Sequence, residues 1–371
     1  LEVIVPHVRL LRLKIIHRFH MQRFLIPISI LMAAHVLASP TEAERIQRSY
    51  GLSQETFALK MKIATTPEEK QVLWEKRPSP EATASQLWKN ITGSLRQDWT
   101  IPYSAFYLNL THQVAASNAE VSRHRKEIMD GFEAHHLDKP DIRVFCMALT
   151  QSGSPRALPL LEKIIKKNPD KKTQGIAALG AALLLKNLGD SPEILEKRIT
   201  HLRMAIIQAV DEKMGDMSVA TLAADEIFII RHLIKGRTPP RFTGTDVAGR
   251  IIKSADFKGK ITVLLFWDSK SPEIDKVIQL SNQLVDKYAK KPISVIGITP
   301  EPIADIRALQ ANDFIKWNNI IDSKDEIAAL YRIRSRPSVL IVDSDGKIEY
   351  SGVPGSFVEL TIDALLDNSK K

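Results

Sequence analysis

The sequence predicts an α+β chain in two parts, an all-α helical N-terminal domain followed by an α/β domain. Residues 41–235 are rich in Leu, Ala, Ile, Lys and Glu, carry repeated Ser-Pro helix starts, and lack a good strand pattern. From Gly236 onward, apolar β-rich runs alternate with amphipathic stretches, as in a mixed sheet covered by helices on both faces. A length of 371 residues leaves room for two such domains.

Composition narrows the chemistry. Apolar residues make up 44% and charged residues 26%, so either part can bury a core without metal or disulfide staples. There is one cysteine, Cys146. That excludes an intramolecular disulfide, a cysteine zinc site, an iron–sulfur cluster and any two-cysteine redox cycle within the chain. The net charge of +9 suggests nucleic acid, but its distribution argues against that. Residues 1–38 hold five Lys/Arg against one acid, residues 39–235 hold 27 against 24, and residues 236–371 hold 20 against 18. The excess sits mostly in the leader, and the rest is a mixed-sign surface, so no nucleic-acid partner is expected.

Residues 1–38 read as a signal peptide. Met21-Gln22-Arg23 precedes an apolar run from Phe24 to Ala38, and Val36-Leu37-Ala38 offers small or apolar residues at a cleavage site before Ser39-Pro40. Residues 1–20 read as an upstream extension, with Met21 the natural start. The run is shorter than the roughly 20 residues that span a bilayer. Cleavage near Ala38 makes the protein periplasmic or secreted; a segment left uncleaved would make it membrane-anchored.

In the helical domain, residues 39–235, Ser79-Pro80-Glu81 opens a helix to about Arg96. Ser154-Pro155 opens one over Arg156–Lys167 that Asn168-Pro169-Asp170 stops, and Ser191-Pro192-Glu193 opens one to about Glu212. Leu158, Leu160, Leu161, Ile164 and Ile165 recur at helical spacing, as do Ile176, Leu179, Leu183 and Leu184. The pattern suits antiparallel helix pairs; no clean period marks a repeat array. Cys146, within Val144–Leu149, reads as a buried, inert thiol. His135, His136 and Asp138 read as a helix end rather than a metal site, because adjacent helical side chains diverge by about 100°.

In the second domain, residues 236–371, Gly236–Pro240 is a turn and Phe242 to Ile252 an opening hairpin. Ile261–Trp267 is a strand buried on both faces, Pro272 to about Lys290 a helix, and Ile293–Ile298 a second buried strand. Glu301–Ala311 and Asp325–Leu330 are helices. Ser338–Val342 and Lys347–Tyr350 are strands joined by the turn Asp343–Gly346, and Ser356–Leu366 is the closing helix.

The order of Gly236-x-x-Pro239-Pro240-x-Phe242, Asp246-x-x-Gly249, Phe257-Lys258-Gly259-Lys260 and Phe266-Trp267 resembles the thioredoxin-like TlpA/ResA branch of the AhpC/TSA superfamily. Arg336-Pro337-Ser338 and Val342–Ile348 resemble that family's cis-proline and hairpin. The resemblance covers residues 236–371 and implies a thioredoxin-like fold, with thiol–disulfide or antioxidant chemistry. At the chemistry, however, this sequence departs. The family's Cys-Pro-x-Cys falls on Ser271-Pro272-Glu273-Ile274. The family's first thiol attacks as a thiolate stabilised at a helix start, and its second resolves the mixed disulfide. Neither Ser271 nor Ile274 performs either step. No histidine lies beyond His232, so Ser271 also lacks an obvious base and reads as a helix cap rather than a nucleophile.

The expected binding residues are Trp267, Asp268, Glu273, Arg334, Arg336 and Pro337; the resemblance implies that the residue before the proline faces a bound peptide, while the departure at Ser271 and Ile274 leaves no catalytic residue, and no metal or cofactor is expected. Arg332, Arg334 and Arg336 alternate and would share one face of an extended segment. Asp268 and Glu273 are the expected acidic partners, giving a salt-bridge cluster where the thiols were; an anionic ligand is the alternative. The expected function is a redox-inactive binding or scaffold module with an envelope protein or peptide partner. The alternative is a thiol-dependent oxidoreductase that borrows a partner's cysteine.

Overall fold

The computed structural model describes residues 39–112, 118–271 and 273–368. The leader, with Met21 and Ala38, and Pro272 lie outside the described residues.

Among the described residues, ten α-helices precede the five-stranded sheet: α1 (Pro40–Ile63), α2 (Pro67–Glu75), α3 (Pro80–Ile91), α4 (Ile101–Thr111), α5 (Ala119–His135), α6 (Arg143–Gln151), α7 (Ala157–Lys167), α8 (Lys171–Leu185), α9 (Pro192–Gln208) and α10 (Val219–His232). Their starts follow the sequence logic. Ser39, Thr66, Ser79 and Ser191 each accept a backbone N–H ahead of a proline in the first turn. The helix opened by Ser191 ends at Gln208, four residues before the expected Glu212. There the chain turns into a two-residue hairpin, β1 (Lys213–Met214) with β2 (Met217–Ser218), so the region is not purely helical.

Helix α8 is the axis of this region. It is buried along most of its length and packs against α6, α7 and α9. Small residues allow that approach: a Cβ on Gly180 would lie 2.5 Å from Thr150 Oγ1, and one on Gly175 would lie 2.7 Å from Ala209 Cβ. Cys146 is fully buried in the same core.

The C-terminal part opens with the hairpin β3 (Thr243–Thr245) and β4 (Ile251–Lys253). Asp246 fixes its turn by accepting N–H groups from Ala248 and Arg250 and the Arg250 guanidinium, while Gly249 takes φ +82°. Then follow β5 (Ile261–Phe266), α11 (Ile274–Lys287), β6 (Ile293–Thr299), α12 (Ile303–Ala311), β7 (Asn318–Ile321), α13 (Glu326–Leu330), β8 (Ser338–Val342), β9 (Ile348–Gly352) and α14 (Ser356–Asn368). The sheet order is β7-β6-β5-β8-β9, with β5, β6 and β7 parallel and β8 and β9 antiparallel to their neighbours. Strand β7 is an addition to the sequence reading, which passed from one helix to the next.

The two sheet faces are covered from different parts of the chain. Val263, Val339 and Ile341 pack on Leu284 of α11, on Tyr288 just beyond it, and on Val358 and Ile362 of α14. Leu265 and Trp267 pack on Val277 of α11 and Ile306 of α12. On the opposite face, Leu264, Phe266, Ile296, Ile298, Leu340 and Val342 meet Ile327 and Ala328 of α13. Phe228 and Ile229 of α10, with Leu233 just beyond it, complete that core, while Val219, Ala223 and Ile230 of α10 face the helical core. One helix thus seals two cores.

Candidate functional site

The register gathers the expected site at one end of the sheet. Phe266 stands opposite Ile298 and Ser338, and Thr299 opposite Ile321. The segments leaving β5, β6 and β7 and the one entering β8 therefore emerge together, at the carboxyl ends of the parallel strands where α/β sheets generally bind ligands.

Leaving β5, Trp267 is fully buried, and its indole N–H donates to Asn319 Oδ1 at 2.9 Å. Trp317 donates to the same oxygen at 3.1 Å, and the rings meet edge-on with centroids 5.9 Å apart. Gly297 lies between them; a Cβ there would fall 1.9 Å from Asn319 Oδ1. Trp267 consequently braces the floor of the site and offers no surface to a ligand, which corrects its expected binding role. Its partners Trp317 and Asn319 were not identified as site residues from the sequence.

Asp268 accepts the backbone N–H of Lys270 at 3.1 Å, which shapes the loop. Ser269 donates both its amide and its hydroxyl to Glu301 Oε1, at 2.7 and 2.6 Å. These bonds from Ser269 hold the Glu301 carboxyl below the usual range, against a smaller opposing effect of burial. Glu301, two residues beyond β6, is a further site residue; its only sequence signal was its place after the Thr299-Pro300 strand exit.

Ser271 is buried, and its hydroxyl accepts only a long bond from the Glu273 amide, 3.4 Å. Its carbonyl accepts the Ile274 N–H at 3.1 Å. Helix α11 begins at Ile274, so Ser271 shapes the turn ahead of the helix and is not itself the N-cap. Ile274 packs into the cluster of Trp267, Val277 and Ile306. Glu273 is exposed and pairs with Lys276 at 3.0 Å. Neither a base nor a second hydroxyl touches Ser271 Oγ among the described residues.

The arginine cluster does not form. Arg332 takes φ +55°, which breaks the expected extended run, and the three side chains diverge. Arg332 pairs with Asp225 of α10 at 2.9 Å and lies over the Phe228 ring, 4.3 Å from its centroid. Arg336 pairs with Asp325 at 2.5 Å, while Arg334 is exposed and has no acidic partner among the described residues. Asp268 and Glu273 partner none of them. The Arg336–Pro337 peptide bond is cis.

No described group of His, Cys, Asp and Glu is arranged to hold a metal. His136 is buried at the end of α5, placed 2.8 Å from the Leu95 carbonyl and 3.2 Å from Asp98. Burial pushes the Cys146 thiol up to about 12, which keeps it protonated.

A five-stranded mixed sheet, a cis proline at the head of β8 and a helix launched directly after β5 define a domain of the thioredoxin-like class. Residues 236–351 match the model of the AhpC/TSA family. The chain is 30% identical over 118 residues to the thiol-disulfide oxidoreductase ResA of Bacillus thuringiensis subsp. konkukian, a match over 30% of this chain and 66% of the relative. It is 24% identical over 115 residues to ResA of Geobacillus thermodenitrificans, over 31% of this chain and 66% of that protein. The chain thus spans about two thirds of the length of these relatives. Among solved structures, the thioredoxin domain of a thiol-disulfide oxidoreductase from Bacteroides vulgatus aligns at 23% identity and a TM-score of 0.33, covering 36% of this chain and 97% of its own.

Proposed function

We propose that this protein is an exported, redox-inactive member of its family, in which the thioredoxin-like domain serves as a binding module. The observation that carries this reading is Ser271 and Ile274 at the start of α11, where the family's chemistry needs two thiols, with the sole cysteine buried in the helical core. A hydroxyl cannot form a mixed disulfide, and an isoleucine packed into the core cannot resolve one. An extended peptide, from an envelope protein, would dock by main-chain hydrogen bonds along Arg334–Pro337. Exposed Arg334 and the Arg336–Asp325 pair would flank it. Export rests on the leader of residues 1–38. Among the described residues, no helix is long and apolar enough to cross a membrane.

The test is insulin-disulfide reduction by dithiothreitol with the full chain present. The reading expects the uncatalysed rate. Turnover above background would restore the oxidoreductase reading, with a cysteine supplied in trans or by Cys146.

A further inference from the structure

Among the described residues, a run of exposed apolar side chains lies on α1 and α2. Ala43 and Ile46, near its start, are the buried residues of α1; α2 has none. The second half of α1 and all of α2 thus form an arm, held together by contacts such as Phe57 against Trp74, with ring centroids 6.2 Å apart. Leu52, Leu59, Ile63, Val72 and Trp74 are each about half exposed or more. Isolated exposed apolar residues are ordinary, but five on one two-helix arm mark an interaction surface.

Between α1 and the α2–Pro78 segment runs a groove of about 800 Å³. Its apolar floor is Leu52, Phe57 and Leu73, and its rim carries Arg45, Arg48, Lys60 and Lys76 against a single acid, Glu44. Arg45 and Arg48 already pair with Glu42 and Glu44 of their own helix. Lys60 and Lys76 have no acidic partner among the described residues, so the groove keeps unneutralised positive charge above apolar ground. Along α1, Arg45, Ser49, Leu52, Thr56 and Lys60 recur at three- and four-residue spacing, one stripe of about 22 Å at helical rise. That length fits about four turns of a second helix.

From this charge and shape we infer that the arm binds an acidic amphipathic helix of a partner protein, its apolar face on Leu52, Phe57 and Leu73 and its carboxylates on Lys60 and Lys76. The inference does not depend on the redox state of the thioredoxin-like domain.

The probe is a fluorescein-labelled 15-residue helical peptide with Leu at three- and four-residue spacing and Glu elsewhere; its control has Lys for every Glu. Fluorescence anisotropy with the full chain is expected to show saturable binding of the acidic peptide and at least tenfold weaker binding of the control. Lys60→Glu/Lys76→Glu should weaken the acidic peptide at least tenfold, and Leu52→Ser several-fold, with thermal melting unchanged because all three side chains are exposed. Equal binding to wild type and the charge-reversed protein, or no binding at all, overturns the proposal. So does a dimer in light scattering that Leu52→Asp converts to monomer, which assigns the groove to a second copy. Phosphatidylglycerol-vesicle binding that the charge reversal abolishes, without peptide binding, overturns it in favour of a membrane.

Discussion

Arg332 and Asp225 lie 107 residues apart in the sequence, yet Nε of one sits 2.9 Å from Oδ1 of the other. The pair ties the turn that leads into the Pro337 loop to α10, the helix that also closes the helical core. On the next position of α10, Glu226 accepts Arg198 at 3.1 Å and Lys186 at 3.0 Å. Adjacent carboxylates on one helix therefore fasten the turn after α13 on one side and α9 on the other.

Arg332→Ala should lose the ion pair and the contact over Phe228, about 1–2 kcal/mol together at this partial burial. Arg332→Gly should lose the same contacts but relieve the left-handed backbone, and so be about 1 kcal/mol more stable than the alanine variant. Urea unfolding of the two variants checks the order. A glycine variant no better than alanine would show that the φ of +55° carries no cost.

The Trp267–Asn319–Trp317 bridge predicts a strong effect from a small change. Asn319→Leu leaves two buried indole N–H groups without an acceptor and should cost about 2–4 kcal/mol. Gly297→Ala, whose Cβ has no space beside Asn319 Oδ1, should cost about 3 kcal/mol or more. Chemical denaturation followed by near-ultraviolet circular dichroism reports both stability and the indole environment.

Much of the C-terminal fold was legible because β5 and β6 are predominantly apolar, β-branched runs and Asp343–Gly346 is a strong turn signal before β9. Strand β7 was missed because it is four residues long and begins Asn318-Asn319, a pair that reads as loop until Asn319 is seen bridging two tryptophans. The site was half legible. Ser271 and Ile274 could be placed by counting from Phe266-Trp267, but the arginines could not be partnered. Asp225 is distant in sequence, and no local pattern marks an arginine for a left-handed turn. The hairpin after α9 escaped for a similar reason, since Lys213-Met214 and Met217-Ser218 are too short to show alternation.

Glu301 predicts a pH dependence. Its folded-state pKa is lowered, chiefly by the bonds from Ser269, so its contribution to stability is present above the ordinary glutamate value. That contribution fades as pH falls below the ordinary glutamate range and through the lowered folded-state value. Glu301→Gln should be less stable than wild type at pH 7 and converge on it in acid. A constant difference down to pH 3 would contradict the assignment.

Cys146 should be silent in the folded state. With its thiol buried and raised to about 12, Ellman's reagent should react at least a hundredfold more slowly with native protein than with protein in guanidinium chloride. Rapid native labelling would place the thiol at an accessible surface.

The proposed reading keeps the thioredoxin-like scaffold without the two thiols of its family's chemistry. Insulin reduction measured side by side for wild type and Ser271→Cys/Ile274→Cys tests it most directly. Background turnover is expected for wild type and clear turnover for the double variant, because α11 then starts on a restored dithiol. Activity in wild type, or none in a folded double variant, would contradict it.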